Sequence, residues 1–271
     1  MKKLYRFIVI LALFFGLVSQ TFATTETFTS STTWTAPAGV TSVTAEVWGA
    51  GGSGASYLNV SNGGASGGGG GAYSKKLNIS VTPGNSYTVT VGVGGTAVTQ
   101  GSNGNVGGDS WFSSTGTVLA KGGSGGLQQA TGDSTGRQGG QASSGVGDTK
   151  YNGGNSGSTG TSFSSSGGGS GAGDSQNGNN GTNSSNSTYS AGGAAATNNG
   201  GKGGDATGGN SSVTYYAQGG ASYGGGGGGV VTGTNANQGV SGAGYNGAVV
   251  LTYTAVVGPT RSRFIGFGIQ R

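Results

Sequence analysis

The chain has no cysteine and no histidine, only three prolines and one methionine, and charged residues fill just 7% of its 271 positions. Each shortage excludes something. Without cysteine, no disulfide can staple an exported fold and no thiol nucleophile exists. Without histidine there is no His-based triad, and with cysteine also missing the usual zinc ligand sets cannot be assembled. Three prolines and no sustained Gly-X-Y register exclude collagen. The seven acids, Glu26, Glu46, Asp109, Asp133, Asp148, Asp174 and Asp205, are scattered along the chain, each with a solvated turn as its ordinary explanation. Carboxylate acid–base chemistry needs two such groups across one cleft. The sequence therefore predicts no enzyme, cofactor or metal site.

Long hydrophobic runs are scarce too. Residues 7–18 form one apolar run of twelve, short of the roughly 20 residues a membrane span requires. Lys2, Lys3 and Arg6 precede it, and a polar break ending at Ala23 follows. This order predicts a secretory leader over 1–23 and a secreted, extracellular or cell-surface product with no membrane span after cleavage. Three of the 12 basic residues leave with the leader, so 9 remain against 7 acids, a net charge of +2. Three of those nine, Arg261, Arg263 and Arg271, sit in the last eleven residues. A clustered basic face is missing, so nucleic acid is not an expected partner.

What the chain has in excess is glycine, 67 residues, against roughly 7% in ordinary proteins. Glycine lets backbones approach closely, at a high entropic cost on folding. Between residues 122 and 212 the only large apolar residues are Leu127, Val146, Tyr151, Phe163 and Tyr189, too few for a side-chain core. Two outcomes stay open for this insertion, about 122–247. One is a disordered Gly/Ser/Asn segment. The other is a bundle of extended helices of three residues per turn, bonded laterally through main-chain groups. Gly-Gly-x-Gly-Gly units at 122–126 and 200–204, and glycine runs at 67–71 and 224–229, favour the bundle.

Outside the insertion the pattern has period two, the mark of half-buried strands. Val43, Ala45 and Val47 form one face; Leu77, Ile79 and Val81 a second; Tyr87, Val89, Val91 and Val93 a third. Residues 26–34 and 117–121 are further strand candidates, and 248–257 is a β-branched closing strand expected to join the N-terminal strands in one sheet system. Pro83-Gly84-Asn85 is turn chemistry. No window shows helical spacing after the leader. The predicted fold is all-β: a small antiparallel β-sandwich-like framework over 24–257 carrying the glycine-rich insertion, then a tail at 258–271. Trp34, Trp48 and Phe28 are assigned to the core.

Several blocks in order resemble the glycine-rich domain family: Trp34-Thr35-Ala36-Pro37-Ala38-Gly39-Val40, Val47-Trp48-Gly49-Ala50-Gly51-Gly52, Gly71-Ala72-Tyr73-Ser74, Gly107-Gly108-Asp109-Ser110-Trp111-Phe112 and Gly247-Ala248-Val249-Val250-Leu251-Thr252-Tyr253. Its members occur in secreted bacterial proteins and in phage tail-fibre adhesins. The resemblance implies a β-framework with glycine-rich loops or polyglycine helices, whose connecting loops contact a host surface in the adhesins. It fixes no ligand.

Glycine-rich nucleotide motifs arise by chance in such a chain, and no G-x-x-x-x-G-K-[ST] is present. Gly200-Gly201-Lys202-Gly203-Gly204-Asp205 opens like a calcium β-roll repeat, but only once, where a roll needs tandem copies. Candidate surface contacts are Tyr215, Tyr216 and Tyr223, large rings beside the 224–229 run that either bind a partner or cover exposed backbone. Arg261, Arg263, Phe264, Ile265, Phe267 and Ile269 form a candidate assembly tail for pairing with a neighbouring copy's sheet edge. The expected function is an adhesin-like module binding a cell-surface glycan or protein. The alternative is a self-associating subunit of an extracellular filament, sheath or matrix, and ice binding is a distant third.

Overall fold

The period-two segments become strands of two antiparallel sheets that face each other. The computed structural model describes residues 20–58, 62–129, 136–197, 199–209, 212–233, 236 and 238–257. In the five-stranded sheet, Ala248–Val257 lies between Gln20–Phe28 and Ser42–Trp48, followed by Tyr73–Ser80 and Thr149–Tyr151. The four-stranded sheet runs Thr32–Thr35, Ser86–Thr90, Ser110–Phe112, Val118–Ala120. Val43, Ala45, Val47, Val249 and Leu251 from the first sheet meet Trp34, Val89, Phe112 and Val118 from the second in one apolar core. The fold is all-β with a sandwich-like framework, and the first and last strands share a sheet as the sequence predicts. Trp34 packs within 5.9 Å of Phe112 and 5.5 Å of Tyr253, centroid to centroid. Its indole N–H donates to Glu26 at 3.2 Å, and the Tyr253 hydroxyl donates to the same carboxylate. Burial, then that bond to Glu26, pushes the Tyr253 phenol up to about 12.

Three local expectations are corrected. Leu77 does not join Ile79 and Val81 inside; it is exposed. A register shift between Val43 and Ala45 marks a bulge here, Asn78 takes φ 52°, and the Leu77 N–H donates to Asp148 instead of the ladder. A bulge reverses which face a side chain occupies. Val93 also points outward, because the strand ends at Thr90 and a different backbone path begins at Gly92. The 26–34 candidate is two strands, Gln20–Phe28 and Thr32–Thr35. Gln20 to Ala23 lie in the first strand, where they pair with Val257 to Thr254.

Beyond the sandwich the chain abandons period two for period three. Consider residues 49–56, which continue directly from Trp48. The N–H groups of Gly49, Gly52 and Ala55 donate to the carbonyls of Ala72, Gly69 and Ser66. Those of Ala50, Ser53 and Ser56 donate to Gly108, Asn105 and Ser102, and those of Gly51 and Gly54 to Tyr245 and Gly242, all at 2.9–3.0 Å. Every third residue thus addresses the same neighbour, the signature of an extended three-per-turn helix with three bonding faces. The carbonyls are used likewise: Gly123 and Gly126 donate to Ala50 and Ser53, Gly227 and Val230 to Gly52 and Ala55, and Gly95 to Gly51. Residues 65–72 are surrounded in the same way, giving bonds to 121–127, 154 and 224–227 and receiving them from 49–55, 140 and 166–172.

The glycine content follows from this lattice. A Cβ on Gly51 would fall within 3.0 Å of the Gly225 carbonyl, on Gly52 of Ser124, on Gly54 of Gly228, and on Gly68 of Gly52. Where helices stand further apart, buried serines bridge them. Ser66 Oγ accepts the Leu127 N–H at 2.9 Å; Ser166 Oγ accepts from Gly67 and donates to Gly157 at 2.6 Å. An extended helix has no internal hydrogen bonds, so each buried amide must find a lateral partner, and along 49–56 and 66–72 every one does. Of the two open outcomes the ordered bundle is the one observed, and it starts earlier than residue 122: 49–58, 63–72 and 92–108 belong to it.

Candidate functional site

The bundle has two ends. At the near end, Trp48 joins it to the sandwich: its ring packs on Tyr73 at 4.9 Å and Tyr223 at 5.4 Å, and its indole N–H donates to the Ala172 carbonyl at 3.1 Å. The Tyr73 hydroxyl donates to Glu46 at 2.6 Å, and burial followed by that bond raises its pKa. Tyr223, a candidate surface contact from the sequence, therefore sits half-buried in the junction.

At the far end the helices close in short strands. Thr207–Gly209 runs parallel to Val230–Thr232, which runs parallel to Ser56–Leu58; Thr214–Tyr216 pairs with Gln238–Val240, and Gly64–Ala65 with Ser164–Ser165. Tyr57, Ala55, Ala65 and Val231 fill a small core beneath, with Phe163 against it. Above this floor lies a rim of apolar side chains. Tyr189 meets Phe163 edge-on at 6.5 Å and is 40% exposed, Leu58 is 45%, Val213 50% and Tyr216 69% exposed. The Tyr189 and Tyr215 rings lie over Gly208 and Gly209, where a Cβ would strike them. Burial, with Tyr215 nearby, raises the Tyr189 pKa. Tyr215 and Tyr216 thus belong to this end, whereas Leu58, Phe163, Tyr189 and Val213 were not selected from sequence. Nothing in a linear reading links them, since the floor that gathers them is made of backbone pairing. Arg261, Arg263, Phe264, Ile265, Phe267 and Ile269 lie outside the described residues.

Three of the carboxylates, Asp109, Asp148 and Asp205, serve the backbone. Asp109 accepts the Gly122 N–H at 2.9 Å and pairs with Lys121; Asp205 accepts the Gly192 N–H at 2.9 Å and pairs with Lys202 at 3.1 Å. The Leu77 N–H, then Lys76, hold the Asp148 carboxyl below the usual range. Among the described residues no three metal-ligating side chains converge, and no helix is long and apolar enough to cross a membrane.

The chain matches no curated protein. The model for the glycine-rich domain matches residues 24–254, which take in the glycine lattice and all but the outer ends of the framework strands, and the chain belongs to that family.

Proposed function

We propose that the protein is an exported, non-enzymatic extracellular binding module of adhesin type, in which a rigid glycine lattice holds an apolar rim against a cell-surface glycan or protein. The observation that carries this reading is the set of exposed apolar side chains at the far end, Leu58, Tyr189, Val213 and Tyr216, on or beside its short paired strands. Tyrosine offers large contact area at low entropic cost, and a prepaid scaffold reduces what binding must spend on ordering. The order of the sequence blocks, similar to secreted bacterial proteins and phage tail-fibre adhesins, supports the same reading. The test is adhesion of the labelled protein to intact cells and a glycan array. Leu58→Ser/Tyr216→Ala should abolish retention without lowering the thermal midpoint; unchanged retention contradicts the proposal.

A second reading, a self-assembling filament or matrix subunit, is favoured by Gln20–Phe28, an edge strand that among the described residues pairs on one side only. Such an edge is a template for another chain. Concentration-dependent fibres under the electron microscope, lost on replacing Thr25 and Thr27 by proline, would select it.

A further inference from the structure

One flank of the bundle carries a regular array of amides that neither the fold's core nor the far end uses. Asn177, Asn180, Asn183 and Asn186 recur every third residue, so all four lie on one face of one extended helix. Their Oδ1 atoms accept the N–H groups of Asn152, Asn155, Ser158 and Thr161 at 2.8, 2.9, 2.9 and 2.7 Å. The pattern repeats one helix further on: Asn152 Oδ1 accepts from Ala142 at 2.7 Å, and Asn155 Oδ1 from Gly139 at 3.0 Å. Each side-chain amide is thereby locked by its oxygen. No hydrogen bond among the described residues uses the Nδ2 groups of these six asparagines.

Between the two rows runs a groove of about 310 Å³, lined by Gln141, Asn152, Asn155, Asn177, Asn180 and two glycines. It contains no charged and no apolar side chain. Along each row the amides repeat every three residues, about 9 Å in a helix rising ~3.1 Å per residue. The row is straight and its scaffold is fixed on both sides by main-chain bonds.

We infer that this groove is a binding site for an extended neutral polysaccharide of the β-1,4-linked type. Three features select that ligand. The neutral lining gives no purchase to phosphate, sulfate or uronic acid. The Nδ2 groups are directional donors, and Gln141, whose Nε2 donates to the Gly139 carbonyl at 2.7 Å, presents its Oε1 as an acceptor, both suited to hydroxyls. The straight, periodic array suits a chain that is itself straight and repeats its hydroxyls, and a pre-locked row loses no side-chain entropy on binding. The site lies on the flank, away from the rim at the far end, so it stands independently of the adhesin reading.

The test is titration calorimetry of the mature protein with cellohexaose and chitohexaose, at low and high salt. Saturable binding that salt does not weaken is expected, because no ion pair is made. Asn177→Asp/Asn180→Asp keeps an oxygen for the Asn152 and Asn155 N–H groups while removing both Nδ2 donors. It should weaken binding by about tenfold or more, since two hydrogen bonds to the ligand are lost, with the thermal midpoint held. Gln141→Leu, which leaves the ladder untouched, should weaken it too, and Tyr216→Ala at the far end should not. No binding of either hexasaccharide, or full-strength binding by the folded double variant and by Gln141→Leu, overturns the proposal.

Discussion

At the scale of single residues, glycine here is a packing residue rather than a hinge. Gly51 touches a neighbouring carbonyl where any other side chain would need that atom's place, whereas a Cβ on Gly116, in a turn, would meet only Ser114 Oγ at 3.8 Å, an ordinary contact. Gly51→Ala is expected to cost ~1–3 kcal/mol by forced displacement of the adjoining helix, read as a lowered urea midpoint. Gly116→Ala should stay within about 0.5 kcal/mol of the parent. Tyr253 supplies a second prediction. Its phenol stays protonated in the fold up to about 12, while the unfolded phenol ionises near its ordinary 10.0. The stability it contributes is complete below pH 10 and disappears as the pH rises to 12. Urea midpoints should therefore fall across that window, and Tyr253→Phe should flatten part of the fall even though it begins less stable. An unchanged alkaline slope in the variant would remove the assignment.

At the scale of elements, the chain switches grammar at two glycines. Up to Trp48 and Thr90 side chains alternate in and out; from Gly49 and Gly92 every third residue faces the same neighbour. The alternation was legible, and it located Val43, Ala45, Val47, Val89 and the closing strand correctly. It failed at Leu77, where a bulge with left-handed Asn78 shifts the phase, and at Val93, where apolar alternation continues past the last ladder bond. The lattice was legible only as composition. Main-chain bonds carry no side-chain code, so the partners of 49–56 could not be read from sequence, and of the early part of the bundle only the 67–71 glycine run gave a sign. A trace did exist in the three-residue spacing of Asn177, Asn180, Asn183 and Asn186, which fits no helix or strand period. The two grammars are joined by Trp48. Trp48→Ala should cost ~3–5 kcal/mol as a buried aromatic deletion, whereas Trp48→Phe, losing the bond to Ala172, should cost less. Chemical denaturation of both variants checks the order, and equal losses would place the junction elsewhere.

At the scale of the whole molecule, stability is divided between two unlike materials. The sandwich rests on buried apolar side chains around Trp34, Phe112 and Leu251. The bundle rests on lateral amide bonds, each worth only ~1 kcal/mol net but numerous and mutually dependent. Its rim of exposed side chains and its amide-lined flank are both consequences of that rigidity, since a loose glycine chain could hold neither. The rim's members were invisible as a group in the sequence because Leu58 and Tyr216 reach the far end through parallel pairing with distant segments, Val230–Thr232 and Gln238–Val240. Native-state hydrogen exchange at Gly52, Gly68, Gly69 and Gly226 measures the underlying property most directly. These four amides should be protected to the same degree as those of Val47 and Leu251 in the sandwich, and exchange at the rate of an unstructured peptide would contradict the lattice.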